Sequence, residues 1–399
     1  MTSREIAAMT QKYQTENYAR YPVAFVRGEG ARLFDADGKE YLDLLGGIAV
    51  AILGHSHPRV VDAVCGQAKA LTHVSNLFHV PVQSGLGKLL SGAAGGGKVF
   101  FCTSGTEANE AAIKLARKWA SDGAKKGASE FVVVEGAFHG RTYGGLSATA
   151  QPKFHRGFEP MVPGFRAVPF GEIAALERAL TDSVCAFLVE PIQGEYGVRV
   201  HPPGYLETAS ALCRERGILF VADEIQSGMG RTGTFLASSR FGIEPDIVTF
   251  AKGLANGLPL GALVAREEVA SAFVPGTHGS TFGGNPVCCA ASKVVLETVL
   301  APGFLAEVSR KGDLLMTALS EIARGRSDVR DIRGMGLMVG MEMEIEVKET
   351  VNRCLAAGLV VGTAGEKVLR FLPSLTVTDG EIRRGLSILG QSLPQAGGK

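Results

Sequence analysis

Residues 218–253 read ILFVADEIQSGMGRTGTFLASSRFGIEPDIVTFAKG. Residues 218–222 form a short apolar run after Gly217, the pattern of a strand buried on both faces. Asp223 and Glu224 stand where that run stops. A second, mostly apolar run, 247–251, follows the turn-like Glu244-Pro245-Asp246 and ends on Lys252. Two buried strands thus each deliver an ionisable side chain at the carboxyl end, the edge where open α/β sheets bind ligands. Solvated strand ends are one explanation. The set Asp223, Gln226 and Lys252 also suits pyridoxal 5'-phosphate (PLP). A desolvated lysine loses its proton more easily and forms a Schiff base with an aldehyde. An aspartate facing the pyridine nitrogen keeps it protonated, and an amide such as Gln226 can hold the ring oxygen. Spacing alone leaves both explanations open.

The 399 residues suffice for one large domain and a smaller one. A net charge of +1 argues against nucleic acid or an anionic membrane as the main partner. Seven cysteines, scattered and without C-x-x-C, predict reduced thiols in a cytoplasmic setting, with no disulfide frame or zinc site. The opening MTSREIAAMTQKYQ has no apolar core of a signal peptide. No apolar stretch is long enough to span a bilayer. The G-x-G-x-x-G at residues 228–233 neither directly follows a strand nor opens a helix, which weighs against a nicotinamide dehydrogenase.

Around the central stretch, residues 58–285 alternate helical and strand patterns, which predicts a mostly parallel sheet with helices on both faces. Strand 98–102 leads into Thr103-Ser104-Gly105-Thr106-Glu107-Ala108-Asn109-Glu110. Ser104 and Glu107 have capping-box spacing. Ala108, Ala111, Ala112, Leu115, Ala116 and Trp119 share one helical face. This is either a well-capped helix or a phosphate site at a glycine-lined helix N-terminus. Strand 131–134 precedes Phe138-His139-Gly140-Arg141-Thr142. There the aromatic and the cation are either packing plus a surface charge, or a ring stack and a carboxylate clamp. Strand 185–189 ends in Glu190-Pro191-Ile192-Gln193-Gly194-Glu195-Tyr196-Gly197, whose two acids admit an acid/base pair of unreadable geometry. His55-Ser56-His57-Pro58 reads as a turn before a helix.

The N-terminal strands 23–26, 31–35 and 40–44 have a hairpin signal at Asp37-Gly38. Residues 276–286 form a glycine-rich polar loop. Beyond about residue 290 a helix, a strand within 329–344, and strands 359–362 and 368–372 predict a second, α+β domain. The tail from Gln391 reads as disordered.

The motifs D-E-I-Q-S-G-M-G-R-T-G, P-D-I-V-T-F-A-K-G, S-G-T-E-A-N-E, F-H-G-R-T, E-P-I-Q-G-E and T-H-G-S-T-F-G-G-N-P resemble those of the subgroup III (ornithine/acetylornithine) aminotransferases of PLP fold type I. The resemblance runs from Tyr18 to about Ile388. It implies an α/β, PLP-dependent transferase fold type I. The large domain (56–285) carries a mostly parallel seven-stranded sheet flanked by helices. The smaller α+β domain (286–399) is joined by residues 1–55. Implied cofactor contacts are Gly105 and Thr106 on the phosphate, Phe138 on the ring face, Asp223 on the pyridine nitrogen, Gln226 near the ring oxygen, and Lys252 as the Schiff-base lysine. Glu224 and Ile225 are counted with them, and His139 as a lesser contact. Arg141 would take the substrate carboxylate. Glu195 would gate the site by pairing with Arg370. Thr281 and Ser280 would reach the neighbouring subunit's phosphate and substrate across a homodimer interface.

The implied reaction moves the terminal amino group of N2-acetylornithine to 2-oxoglutarate, in arginine biosynthesis. Ornithine, succinylornithine, N-succinyl-diaminopimelate or 4-aminobutyrate are alternative donors, and a PLP lyase or aminomutase is the alternative chemistry. Three departures stand out. Leu254-Ala255-Asn256 replaces a glycine run, Ser374 a second proline, and Tyr196 a small residue expected to shape the substrate entrance.

Overall fold

The computed structural model describes residues 1–394. Its centre is a seven-stranded sheet of β1 (Lys98–Cys102), β2 (Glu130–Val134), β3 (Phe165–Val168), β4 (Val184–Val189), β5 (Leu219–Asp223), β6 (Ile247–Phe250) and β7 (Gly261–Ala265). The spatial order is β1-β7-β6-β5-β4-β2-β3. Strands β3 to β6 and β2 pair in parallel, while β7 runs antiparallel to both β6 and β1. Every residue of β4, β5, β6 and β7 is buried, as continuous apolar runs require when helices cover both faces. Register pairs Asp223 with Thr249, so β5 and β6 end level at one edge.

Helix α1 (Gly105–Trp119) follows β1. It buries Ala108, Ala111, Ala112, Leu115 and Ala116 against the sheet, the face its sequence period predicted. The return arm of its expected capping box differs. Ser104 Oγ accepts from Glu107 N at 3.3 Å, but the Glu107 carboxylate turns back to Thr103 N (2.6 Å), one residue before the cap.

Strands Phe25–Glu29, Arg32–Asp35 and Glu40–Asp43 form a small sheet that Leu359–Val360 completes, so the two ends of the chain share one layer. The expected strand 359–362 is in fact broken at Val361. Gly362–Ala364 joins a different sheet, with Val368–Phe371, Val329–Met335 and Met338–Met343. The segment 329–344 is a hairpin, not one strand. Gly336 takes the left-handed φ of 53° that its tight turn needs. Helix Asp379–Ser392 extends through Gln391 and buries Ser392, so the disorder expected from Gln391 does not begin there. Residues 395–399 of that tail lie outside the described residues. Among the described residues no single helix is long and apolar enough to cross a membrane. Pro286–Val299 and Phe304–Ala323 pass that test only as a pair bent by 75°.

Candidate active site

The carboxyl edge of the sheet opens into a cavity of about 440 Å³. Gly105, Thr106, Phe138, Arg141, Asp223, Ile225, Gln226 and Lys252 all line it, with His139, Asn109 and Glu190. Five separate strand ends thus supply one site, because parallel strands of similar length finish at the same edge.

Lys252 opens the turn after β6 with a left-handed φ of 44°, an unusual state for a residue with a Cβ. Burial pushes its pKa below that of an ordinary lysine, although Glu195 and Asp223 pull the other way. The amine is thereby primed to lose its proton.

Asp223 ends β5 and is buried. Its Oδ2 accepts from Asn109 Nδ2 at 2.8 Å and lies 2.8 Å from His139 Nδ1, and Oδ1 accepts from Ile225 N at 3.1 Å. Asn109 is itself held by Thr249 Oγ1 (2.9 Å) and by the His139 carbonyl (2.8 Å). Nothing local in the sequence assigns Asn109 a role. The available signal was a polar side chain beside the alanine face of α1.

Thr106 Oγ1 bonds Thr142 Oγ1 at 2.7 Å. A Cβ on Gly140 would stand 2.1 Å from Thr106 Oγ1, and one on Gly105 would stand 2.9 Å from Ile225 Cδ1. Glycine is therefore required at Gly140, where φ is 133° and the Thr106 backbone is also close, while at Gly105 a larger residue would have to displace the Ile225 side chain. The first-turn amides of α1 lack intrahelical acceptors and, with the helix dipole, favour an anion.

Glu190 contributes a second buried carboxylate. It accepts from Phe138 N (3.0 Å) and Gly194 N (3.3 Å), so it ties the loop of Phe138 to the loop of Glu195. Burial raises its pKa, the neighbouring Asp223 adds to the rise, and His139 opposes it. It therefore braces two loops, a role that the sequence, which leaves an acid/base pair with Glu195 open, does not reveal.

Glu195 Oε1 accepts from Arg370 Nη1 at 2.7 Å and from Gln226 Nε2 at 3.1 Å. Arg370 is buried and also donates to the Gly194 carbonyl (3.1 Å). Burial works to raise the Glu195 pKa, but Arg370 and Lys252 hold it below the usual carboxylate range. Arg141 is exposed at the cavity mouth, its guanidinium 4.1 Å from the Phe154 ring and 5.5 Å from that of Phe138.

Two expectations change. Glu224 does not line the cavity. Its carboxylate instead accepts from Ser227 Oγ (2.7 Å) and Ser238 N (2.7 Å), bracing the loop after β5. Tyr196 does not line the cavity either. Its ring lies over Gly136, where a Cβ would meet Cδ1 at 2.7 Å, and faces a separate groove with Phe170 and Arg199. Ser280 and Thr281 lie outside this cavity, in a loop where Thr281 is exposed. The sequence also gave no sign that Val50, from the N-terminal segment, reaches the cavity wall.

A half-buried lysine of lowered pKa, a buried aspartate fixed by three neighbours, an aromatic wall and a helix start with free amides together fit a phosphorylated pyridine aldehyde. Comparison with known proteins agrees. The model of the class-III aminotransferase family matches residues 13–393. The acetylornithine aminotransferase of Methanopyrus kandleri is 47% identical over 401 residues, covering 100% of both chains. That of Caldanaerobacter subterraneus is 46% identical over 388 residues, covering 96% of this chain and 98% of the relative. An ornithine aminotransferase structure from Toxoplasma gondii, described with partial occupancy of PLP at its active site, superposes with a TM-score of 0.94. It is 35% identical and covers 98% of this chain and 94% of that one. The chain belongs to the class-III aminotransferases, PLP-dependent enzymes of fold type I.

Proposed function

We propose that this chain transfers the terminal amino group of N2-acetyl-L-ornithine to 2-oxoglutarate, giving N-acetyl-L-glutamate 5-semialdehyde and L-glutamate, as a cytoplasmic homodimer. The observation that carries the reading is the Glu195–Arg370 ion pair beside Lys252. The two half-reactions place different polarities at one spot. The acylated amine brings one carboxylate, which Arg141 takes at the mouth, while Glu195 neutralises Arg370. Glutamate brings two, and the second displaces Glu195 from Arg370. The names of the relatives support the acetylated donor.

PLP, when bound, supplies the aldehyde that exchanges amines and a ring that withdraws electrons. Lys252, as a free neutral amine, would take a proton from the substrate carbon and return it across the nitrogen to the former aldehyde carbon, two atoms along. Asp223, fixed by Asn109 and His139, holds a proton at the ring nitrogen. Gly105 and Thr106 hold the phosphate, Phe138 covers the ring, and Ser280 and Thr281 complete the neighbouring subunit's site. Gln226 is already bonded to Glu195, which makes it part of the same gate.

The test is the visible absorption of the PLP-loaded protein before and after each amine, without keto acid. The band should bleach fast with N-acetylornithine and slowly with ornithine or 4-aminobutyrate. Faster bleaching by another amine changes the donor. Absence of the band removes Lys252 from the centre of the chemistry. Steady-state kinetics should be ping-pong.

A further inference from the structure

We propose that Asn256 is a positioning residue, whose carboxamide clamps the lysine loop to the substrate-facing wall of the cavity. This rests on the reading of Lys252 as the reactive amine. Asn256 follows Lys252 by one turn and has a left-handed backbone (φ 48°, ψ 44°). Glycine would suit that conformation better, yet here the side chain is used. Its Oδ1 accepts from Leu53 N at 2.7 Å, and its Nδ2 donates to the Gly54 carbonyl at 3.0 Å. The carboxamide thus replaces one rung of a strand ladder between segments more than 200 residues apart.

The clamped segment enters through a strained turn. Gly46, Gly47, Ile48 and Ala49 all have left-handed φ, at 58°, 64°, 65° and 63°. Ile48 and Ala49 carry a Cβ, so their geometry is costly and persists only where the surroundings over-determine it. Asp43 Oδ1 secures the start of the turn, accepting from Leu45 N and Gly46 N at 2.8 Å each. Its product is Val50, which lines the cavity with Lys252 and Leu258. Just beyond, Leu375 N donates to the Ile52 carbonyl at 2.7 Å, and Asn256 holds Leu53 and Gly54. Gly253 packs so closely that a Cβ there would lie 2.8 Å from Ile52 Cδ1. Lysine loop and wall therefore form one body, and the carboxamide is the polar link between them.

The informative variant is Asn256→Gly, because glycine keeps the backbone conformation and removes only the clamp. In the apoprotein, amide exchange at Leu53 should quicken at least about tenfold. In the PLP-loaded enzyme, KM for N-acetylornithine should rise about five- to tenfold while kcat stays within about twofold. Asn256→Asp keeps an acceptor for Leu53 N and should restore protection there. Unchanged Leu53 exchange in Asn256→Gly overturns the clamp. So does a kcat loss at constant KM, which would place the residue in the chemistry. If Asn256→Gly does not fold, loss of Leu53 protection in Asn256→Asp overturns it equally. A wild-type protein without the visible band would sink the role of Lys252, while Leu53 exchange still decides the clamp.

Discussion

His139 Nδ1 and Asn109 Nδ2 converge on the same oxygen of Asp223, each at 2.8 Å. One carboxylate oxygen is thereby fixed from two elements, the loop after β2 and helix α1, before any ligand enters. Such prior fixing is what a hydrogen bond to a developing charge requires. Asn109→Ala should lower kcat about tenfold with KM for the amine changed by less than about twofold, since one of the two supports remains. Asp223→Ala should cost at least about a thousandfold in kcat. Steady-state assays with titrated PLP measure both, and an Asn109→Ala enzyme of full kcat would deny the support a role.

Glu195 and Arg370 should govern donor choice. Glu195→Gln keeps the size of the side chain and removes its charge, so Arg370 stays open to dicarboxylates. The ratio of terminal-amine to α-amine turnover should fall about tenfold, read in single-turnover half-reactions. An unchanged ratio would falsify the switch. The pair should also be insensitive to pH over the working range. The Glu195 pKa is lowered in the fold, so the pair's contribution is complete above the ordinary carboxylate value of about 4.3 and is lost only as pH falls through the lower folded value. The ratio of half-reactions should therefore stay flat from about pH 6 to 9.

Lys252 should react as a lysine of depressed pKa. Burial disfavours its charged form, so more of it is neutral at a given pH than the usual value of about 10.4 allows. Competitive acylation of the apoprotein between about pH 7 and 9 should modify Lys252 with a titration midpoint below that of the exposed lysines. A midpoint at the ordinary value would remove the priming by burial.

Gly140→Ala should empty the cofactor site. Its Cβ would fall 2.1 Å from Thr106 Oγ1, at a φ of 133° that side chains rarely adopt. PLP affinity of the apoprotein, followed by absorbance, should drop at least about a hundredfold. The fold should be retained by circular dichroism.

The buried strands β4, β5 and β6 and the helix after Ser104 were legible because apolar runs and a 3.6-residue period are local signals. The residues at their ends stood out by position at one sheet edge, but spacing left their chemistry open and the resemblance of the motifs supplied their roles. What escaped depends on contacts distant in sequence. Asn109 gains meaning only from Thr249 and Asp223, far along the chain. Glu224 and Asp223 are adjacent in the sequence, yet one faces the cavity and the other the Ser238 loop, a choice made by the loop after β5. Tyr196 sits beside the gate in sequence, but Gly136, having no Cβ, leaves a resting place for its ring elsewhere. The left-handed turn at residues 46–49 has two glycines to announce it, but Ile48 and Ala49 point away from that geometry.

The reversal of β7 bears on how this chain can vary. Because β7 runs back between β6 and β1, with Gly261 beside Cys102, no helical crossover is needed after Lys252. Residues 251–260 are a short return pinned at both ends by sheet pairing, at Phe250 and at Gly261. Elsewhere along the same edge, loops can lengthen without disturbing the strands they join. Here residues 257–260 themselves line the cavity, so an inserted residue would reshape that wall or pull the amine out of line. Among the connections at this edge, the lysine loop is therefore the one whose length, as well as its composition, descent should hold fixed. Designers grafting new specificity onto this scaffold should leave its residue count untouched.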